Sequence, residues 1–343
     1  MTMKNKRIAG TVLVCAVLLA VLLLNRKTQP LSRTDCKLNT IVTVTLYDTR
    51  DKEILDRCFS LCDEYESLFS RTGEESELYQ LNHGLLPENE DGFSTVDEEL
   101  FQLVKDGLAF SEKSEDQFYI GMEPLTSLWN FSEDGGQLPG KDELEDALKR
   151  VHNGEILIRE PGEIKLTGGA GIDLGATAKG YIGERIREEL TDRGVKSAVI
   201  SLGGNIVCIG KKGRVPFQVG IQEPFGNRGD VVGTIECENV SVVSSGIYER
   251  CFEKDGKLYH HILNPESGYP CETDVAAVTI VCEDSYLADI YSTVCLTLDS
   301  DEALKLLNET DMLEGMIIRK DGTFLFSENF EEKYRFRRKE TEK

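Results

Sequence analysis

Apolar and polar residues alternate strictly through Val42-Thr43-Val44-Thr45-Leu46, the period-two mark of a half-buried strand. Directly after it, apolar positions at 54, 55, 58, 62, 65, 68 and 69 form one stripe of a helix over 50–69. Thr95 stands three residues before Glu98, the spacing of a capping box, and predicts a second helix through Leu100, Leu103, Val104 and Leu108. Residues 155–159 and 163–166 flank Glu160-Pro161-Gly162 and read as a hairpin, followed by a helix over 176–190 that ends near Gly194. Beyond it, strands are expected at 197–202, 217–221, 240–244 and 276–282, with helices at 286–295 and 301–307. A last hairpin at 316–326 turns on Asp321-Gly322, and a charged tail from Glu331 is expected to fray. This mixture of strands and helices is an α+β pattern.

The amino terminus follows another rule. Lys4, Lys6 and Arg7 precede an uncharged run from Ile8 to Leu24, and Arg26 and Lys27 follow it. Seventeen residues rise about 25 Å as a helix, the short end of what crosses a bilayer. No small residues mark a cleavage site at its exit, so residues 1–33 are expected to be an uncleaved membrane anchor and short linker. They would leave residues 34–330 as one unit outside the cytoplasm, with residues 331–343 as the tail. The chain of 343 residues carries a net charge of −22, and the first 33 residues hold six of its 39 Lys and Arg and none of its 61 Asp and Glu. The rest therefore sets 33 basic residues against 61 acidic ones, a balance of −28 that argues against a nucleic-acid partner. An anionic ligand is compatible with that field only where a metal ion, a lysine or backbone N–H groups offset it locally. Nine of the ten cysteines lie beyond the anchor without CxxC spacing, and read as buried thiols.

Candidate chemistry is concentrated in a few segments. Gly168-Gly169-Ala170-Gly171 lacks the third glycine and the feeding strand of a dinucleotide fingerprint. Its continuation, Ile172-Asp173-Leu174-Gly175-Ala176-Thr177-Ala178-Lys179, brings a carboxylate and an ammonium to the mouth of a helix, where free N–H groups favour phosphate. Asp173 there is either a helix cap or a ligand. Asp289 and Thr293 are four apart, so on a helix their oxygens share a face and can reach a hard cation such as Mg²⁺.

Seven blocks in this order resemble the ApbE family of FAD:protein FMN transferases. They are Phe69-Ser70-Arg71 with Ser76-Glu77-Leu78 and Asn82; Pro124-Leu125 with Leu128-Trp129 and Phe131; and Ile172-Asp173-Leu174-Gly175 with Lys179-Gly180-Tyr181. Leu202-Gly203-Gly204-Asn205-Ile206, Ser244-Ser245-Gly246 with Tyr248-Glu249-Arg250, His261-Ile262 with Pro265 and Gly268, and Asp289 with Ser292-Thr293 complete the set.

The resemblance implies a mixed, largely antiparallel β core flanked by helices. It implies FAD as substrate, with Mg²⁺ held by the Ala176 carbonyl, the Asp289 carboxylate and the Thr293 hydroxyl. An acceptor protein's threonine would attack the FMN phosphorus and expel AMP, with exported subunits of membrane redox complexes as acceptors. His261 is the implied general base, its near-neutral titration suiting removal of a hydroxyl proton. Asp173, Lys179 and Ile262 are implied FAD contacts, and Gly203, Gly204, Ser245 and Gly246 would let a flat ligand approach the backbone. FAD hydrolysis and non-catalytic flavin binding are the alternatives. Three segments depart from the family pattern: Phe118 to Glu123 stands where Phe-Asp with a following Thr is usual, Leu38-Asn39 stands for Met-Gly, and Asn264 stands for aspartate.

Overall fold

The computed structural model describes residues 29–339, apart from 115–116, 133–134 and 228. The expected membrane span at 8–24 lies outside the described residues, and among those described no helix is long and apolar enough to cross a membrane.

Eight strands form the central sheet, in the order Leu31–Lys37, Thr40–Leu46, Ala198–Leu202, Asn205–Ile209, Ser241–Gly246, Val275–Cys282, Glu314–Arg319 and Phe324–Phe326. Every pairing in it is antiparallel, which corrects the expected mixed sheet: neighbours are joined by hairpins or by connections that return on the same edge. Alternation sets the two faces of this sheet. Val243, Val278, Ile280 and Ile317 point to one side, where they pack with Ala288, Cys295 and Leu307 of the helices Ser285–Thr297 and Ser300–Glu309. Val242, Ala277, Val281, Met316 and Ile318 point to the other, against Phe217, Val219, Ile221 and Ile235 of a three-stranded sheet. The helices Lys52–Phe69, Glu98–Lys113 and Ala178–Asp192 close the first side over Val42, Val44, Ile200 and Leu202.

Three local expectations change. Thr95 does not cap a helix: it pairs with Glu163 in a two-residue strand, and Asp97 caps the Glu98–Lys113 helix by accepting from the Glu99 amide at 2.9 Å. Asp97 wins because its short carboxylate reaches that free amide directly. The first strand begins at Leu31, inside the stretch assigned to the linker. The tail does not fray at Glu331: Phe330 and Tyr334 are buried on a short helix, and Arg337–Arg338 pairs with Thr234 and Gly233. Two aromatic residues spaced one helical turn apart outweigh the charges around them.

Candidate functional site

The site is built where two helices cross at a glycine. A Cβ on Gly180 would stand 2.5 Å from the Ser285 carbonyl oxygen and 2.6 Å from Asp289 Cβ, so only glycine lets the Ala178–Asp192 helix lie this close to Ser285–Thr297. The closeness has an electronic result. Gly180 lies in the first turn of its helix, where amides have no helical acceptor, and its N–H is donated to Asp289 Oδ2 at 2.7 Å. The bond ties the Asp289 carboxylate to the mouth of the helix that follows Ala176 and leaves its second oxygen for another partner.

Asp289 is 3% exposed. Burial pushes its carboxyl up, and the Lys179 ammonium and the Gly180 amide pull it back down. Thr293, one turn on, folds its hydroxyl toward the Asp289 carbonyl at a long 3.5 Å, a weak bond that leaves Oγ1 free to turn. Carbonyl, carboxylate and hydroxyl oxygens suit a hard cation such as Mg²⁺. No three His, Cys, Asp or Glu side chains converge among the described residues, so a cation here would depend on this mixed oxygen set. Ser292 fastens the helix to the sheet, donating to the Asp289 carbonyl at 2.7 Å and sharing a 2.8 Å bond with Ser245 Oγ.

His261 follows the hairpin Cys251–Lys254 and Lys257–His260. Its Nδ1 lies 3.2 Å from the Arg250 carbonyl, and the Arg250 carbonyl also accepts the His261 amide. A carbonyl can only accept, so Nδ1 carries the proton and Nε2 presents its lone pair. Burial, reinforced by Arg250, pushes the imidazolium form down to about 3, which keeps the ring neutral and lowers its basicity. His260 points elsewhere and is buried, with its own titration pushed down to about 4 by burial and Lys320.

Asp173 sits on the loop before the helix but is already engaged. Its Oδ1 accepts from Gly175 N–H at 2.8 Å and its Oδ2 pairs with Arg71 Nε at 3.2 Å. Thr177, rather than Asp173, is the residue at the helix cap. Asn82 clamps the same loop with two 2.8 Å bonds to the Ile172 main chain. Asp173 therefore braces the loop that carries Ala176.

The glycines also change role. The space a Cβ would need at Gly203 is filled by Thr40 Oγ1 at 2.6 Å, at Gly204 by the Ser244 carbonyl at 2.4 Å, and at Gly246 by the Tyr248 ring at 2.2 Å. Protein atoms by themselves already require glycine there. The Ile262 side chain is buried in the core with Ile247 and Cys271, and its carbonyl accepts the Cys271 amide at 2.9 Å, so it anchors His261 from behind.

Glu249 was not singled out by the sequence. Its Oε1 lies 3.5 Å from where a Cβ on Gly204 would stand, and burial pushes its carboxyl up against the pull of Lys179 and Arg250. Asp289 adds to the upward push, so Lys179 lies within the field of two carboxylates. Arg71 and Asn82 act on residues about 90–100 positions away, a relation that spacing cannot reveal.

A profile of the ApbE family matches residues 38–317. An FAD:protein FMN transferase of Klebsiella pneumoniae (strain 342) is 31% identical over 290 residues, 83% of this chain and 88% of that protein. One of Treponema pallidum (strain Nichols) is 32% identical over 312 residues, 84% of each. The crystal structure of the ApbE protein of Thermotoga maritima superposes with a TM-score of 0.78 at 30% identity, covering 88% of this chain and 98% of that one.

Proposed function

The chain belongs to the ApbE family and acts as an FAD:protein FMN transferase; from that premise we propose a Mg²⁺-dependent transfer to a threonine hydroxyl, on acceptor proteins outside the cytoplasm. The single observation that carries the metal reading is the bond from the Gly180 amide to Asp289 Oδ2, which ties a buried carboxylate to the helix mouth that follows Ala176.

Ala176, Asp289 and Thr293 would hold the cation. Bound there, it supplies positive charge for the FAD pyrophosphate and for the charge that builds on departing AMP. The chain's own groups do the rest. Lys179 lies within the field of Asp289 and Glu249 and offers an ammonium to phosphate oxygens at a helix mouth. His261 Nε2 takes the proton from the threonine hydroxyl as the oxygen attacks the FMN phosphorus. One P–O bond forms, the bond to the AMP phosphate breaks, AMP leaves with that electron pair, and the histidine returns its proton to water. Entry of an anionic pyrophosphate offsets the positive field of Arg250 and Lys179, which raises the basicity of His261 at the moment it is needed. Residues 8–24, with their cationic flanks, would fix the enzyme to the membrane, and FAD and the acceptor would meet on its outer side.

The test is to incubate full-length protein with FAD, Mg²⁺ and an exported flavoprotein subunit, and to weigh the acceptor. The expected result is a mass gain of one FMN, lost with EDTA and in Asp289→Ala. AMP release with an unlabelled acceptor would make the chain a hydrolase instead.

A further inference from the structure

A buried carboxylate stands behind the loop that leads into the Ala178–Asp192 helix. Glu123 opens the helix Glu123–Trp129 and is 7% exposed. Burying a charge is costly unless it is paired and hydrogen-bonded. Here the pairing runs through two other side chains. Ser127, one turn on, donates to Glu123 Oε1 at 2.5 Å and accepts from Arg71 Nη1 at 2.7 Å. A guanidinium can only donate, so the single Ser127 proton is committed to the carboxylate and the relay has one direction. Arg71, just past the end of the Lys52–Phe69 helix, turns its Nε to Asp173 Oδ2 at 3.2 Å, and Asp173 Oδ1 receives the Gly175 N–H at 2.8 Å. The same segment touches the loop twice more. The Ile120 carbonyl accepts the Asp173 amide at 2.8 Å, and a Cβ on Gly171 would stand 2.4 Å from Glu123 Oε2, so the carboxylate lies against the loop where only glycine leaves room.

We propose that Glu123 and Ser127 are positioning residues for flavin transfer: through Arg71 they fix Asp173 and the turn at 173–175, and so set the helix mouth with Lys179 against the FAD pyrophosphate. That consequence rests on the role proposed above for this helix mouth. Glu123 lies in the segment where the chain departs from the family pattern, and it acts through Arg71 rather than on the substrate. Packing alone does not call for a carboxylate here, because apolar residues often replace a buried ionic network with no loss of stability. What the network adds is direction. With the Ser127 hydroxyl in place, the guanidinium is held from behind while it faces Asp173; without it, Arg71 and Asp173 can swing as a pair and carry the turn with them.

The test is to measure acceptor labelling by the full-length protein in excess Mg²⁺ over a range of FAD concentrations, with melting temperatures recorded alongside. Ser127→Ala should raise the KM for FAD about tenfold, the scale of one hydrogen bond to a charged group, with a smaller change in kcat. Ser127→Thr keeps the hydroxyl and should restore the KM. A misfolded fraction would lower the rate without moving KM. Glu123→Gln keeps the shape and removes the charge; it should also raise KM, and it carries the test if Ser127→Ala does not fold. Combining Ser127→Ala with Asp173→Asn should raise KM no further than Asp173→Asn alone, because both cut one relay. A wild-type KM in Ser127→Ala and Glu123→Gln, with KM raised in Asp173→Asn, would overturn the relay and leave the role of the loop standing. A wild-type KM in all three would overturn both.

Discussion

At the residue scale, two adjacent histidines carry different consequences. His261 is held as the Nδ1–H tautomer by the Arg250 carbonyl, so replacing it removes a base without removing a cofactor contact. His261→Ala should lower kcat for acceptor labelling by about 10²-fold or more while leaving the KM for FAD nearly unchanged, as read from initial rates. His260 is buried and titrates near 4 in the folded protein against 6.5 when unfolded. The folded pKa is depressed, so the unfolded chain binds the extra proton between these values. Stability is full above about pH 6.5 and falls as pH drops toward 4. Across that window the loss from this residue is about 2–3 kcal/mol. Urea titrations at pH 7.5 and 4.5 should show that fall, and His260→Asn should lessen it; an unchanged pH dependence would remove His260 as the cause. Asp289 and Thr293 could be picked out from residue type and helical spacing, and His261 from the block that resembles the family. The role of Asp173 was not: its engagement by Arg71 is a contact across 102 positions, and a carboxylate near a helix mouth reads the same whether it caps, braces or binds.

At the scale of elements, the crossing of Ala178–Asp192 and Ser285–Thr297 sets how near the oxygens proposed to hold the cation lie to one another. Gly180→Ala would press a methyl into the Ser285 carbonyl and Asp289 Cβ. The expected cost is about 1–3 kcal/mol of stability, with weaker metal dependence as the helices part, measured as a higher Mg²⁺ concentration for half-maximal labelling. An increase in stability with unchanged Mg²⁺ response would show that the crossing tolerates the methyl. Asn82→Ala should loosen the Ile172 loop and lower labelling while the Ser285–Thr297 helix stays folded, an outcome that amide exchange can localise to residues 170–177. Long periodic elements such as Lys52–Phe69 were read almost to their ends, and Val275–Cys282 to within a residue. Among those missed were the strands Leu31–Lys37, Val231–Cys237 and Cys251–Lys254, whose exposed faces carry polar side chains. The helix expected after Thr95 formed, with its cap at the nearer Asp97.

At the scale of the whole molecule, the proposed function requires the −28 balance beyond residue 33 to be offset locally for an anionic dinucleotide, as Lys179 at a helix mouth could do. The family and the α+β class were legible from ordered blocks, while the fully antiparallel sheet and its second, smaller partner sheet were not, because sequence records which residues alternate but not which strand lies beside which. The most direct measurement is a crystal structure of the protein with FAD and Mn²⁺, an ion that scatters anomalously and accepts the same hard ligands. A single anomalous peak about 2–2.4 Å from the Ala176 carbonyl oxygen, an Asp289 carboxylate oxygen and Thr293 Oγ1 is the predicted result. A peak bound to none of these atoms, or FAD held with no metal near Asp289, would contradict it.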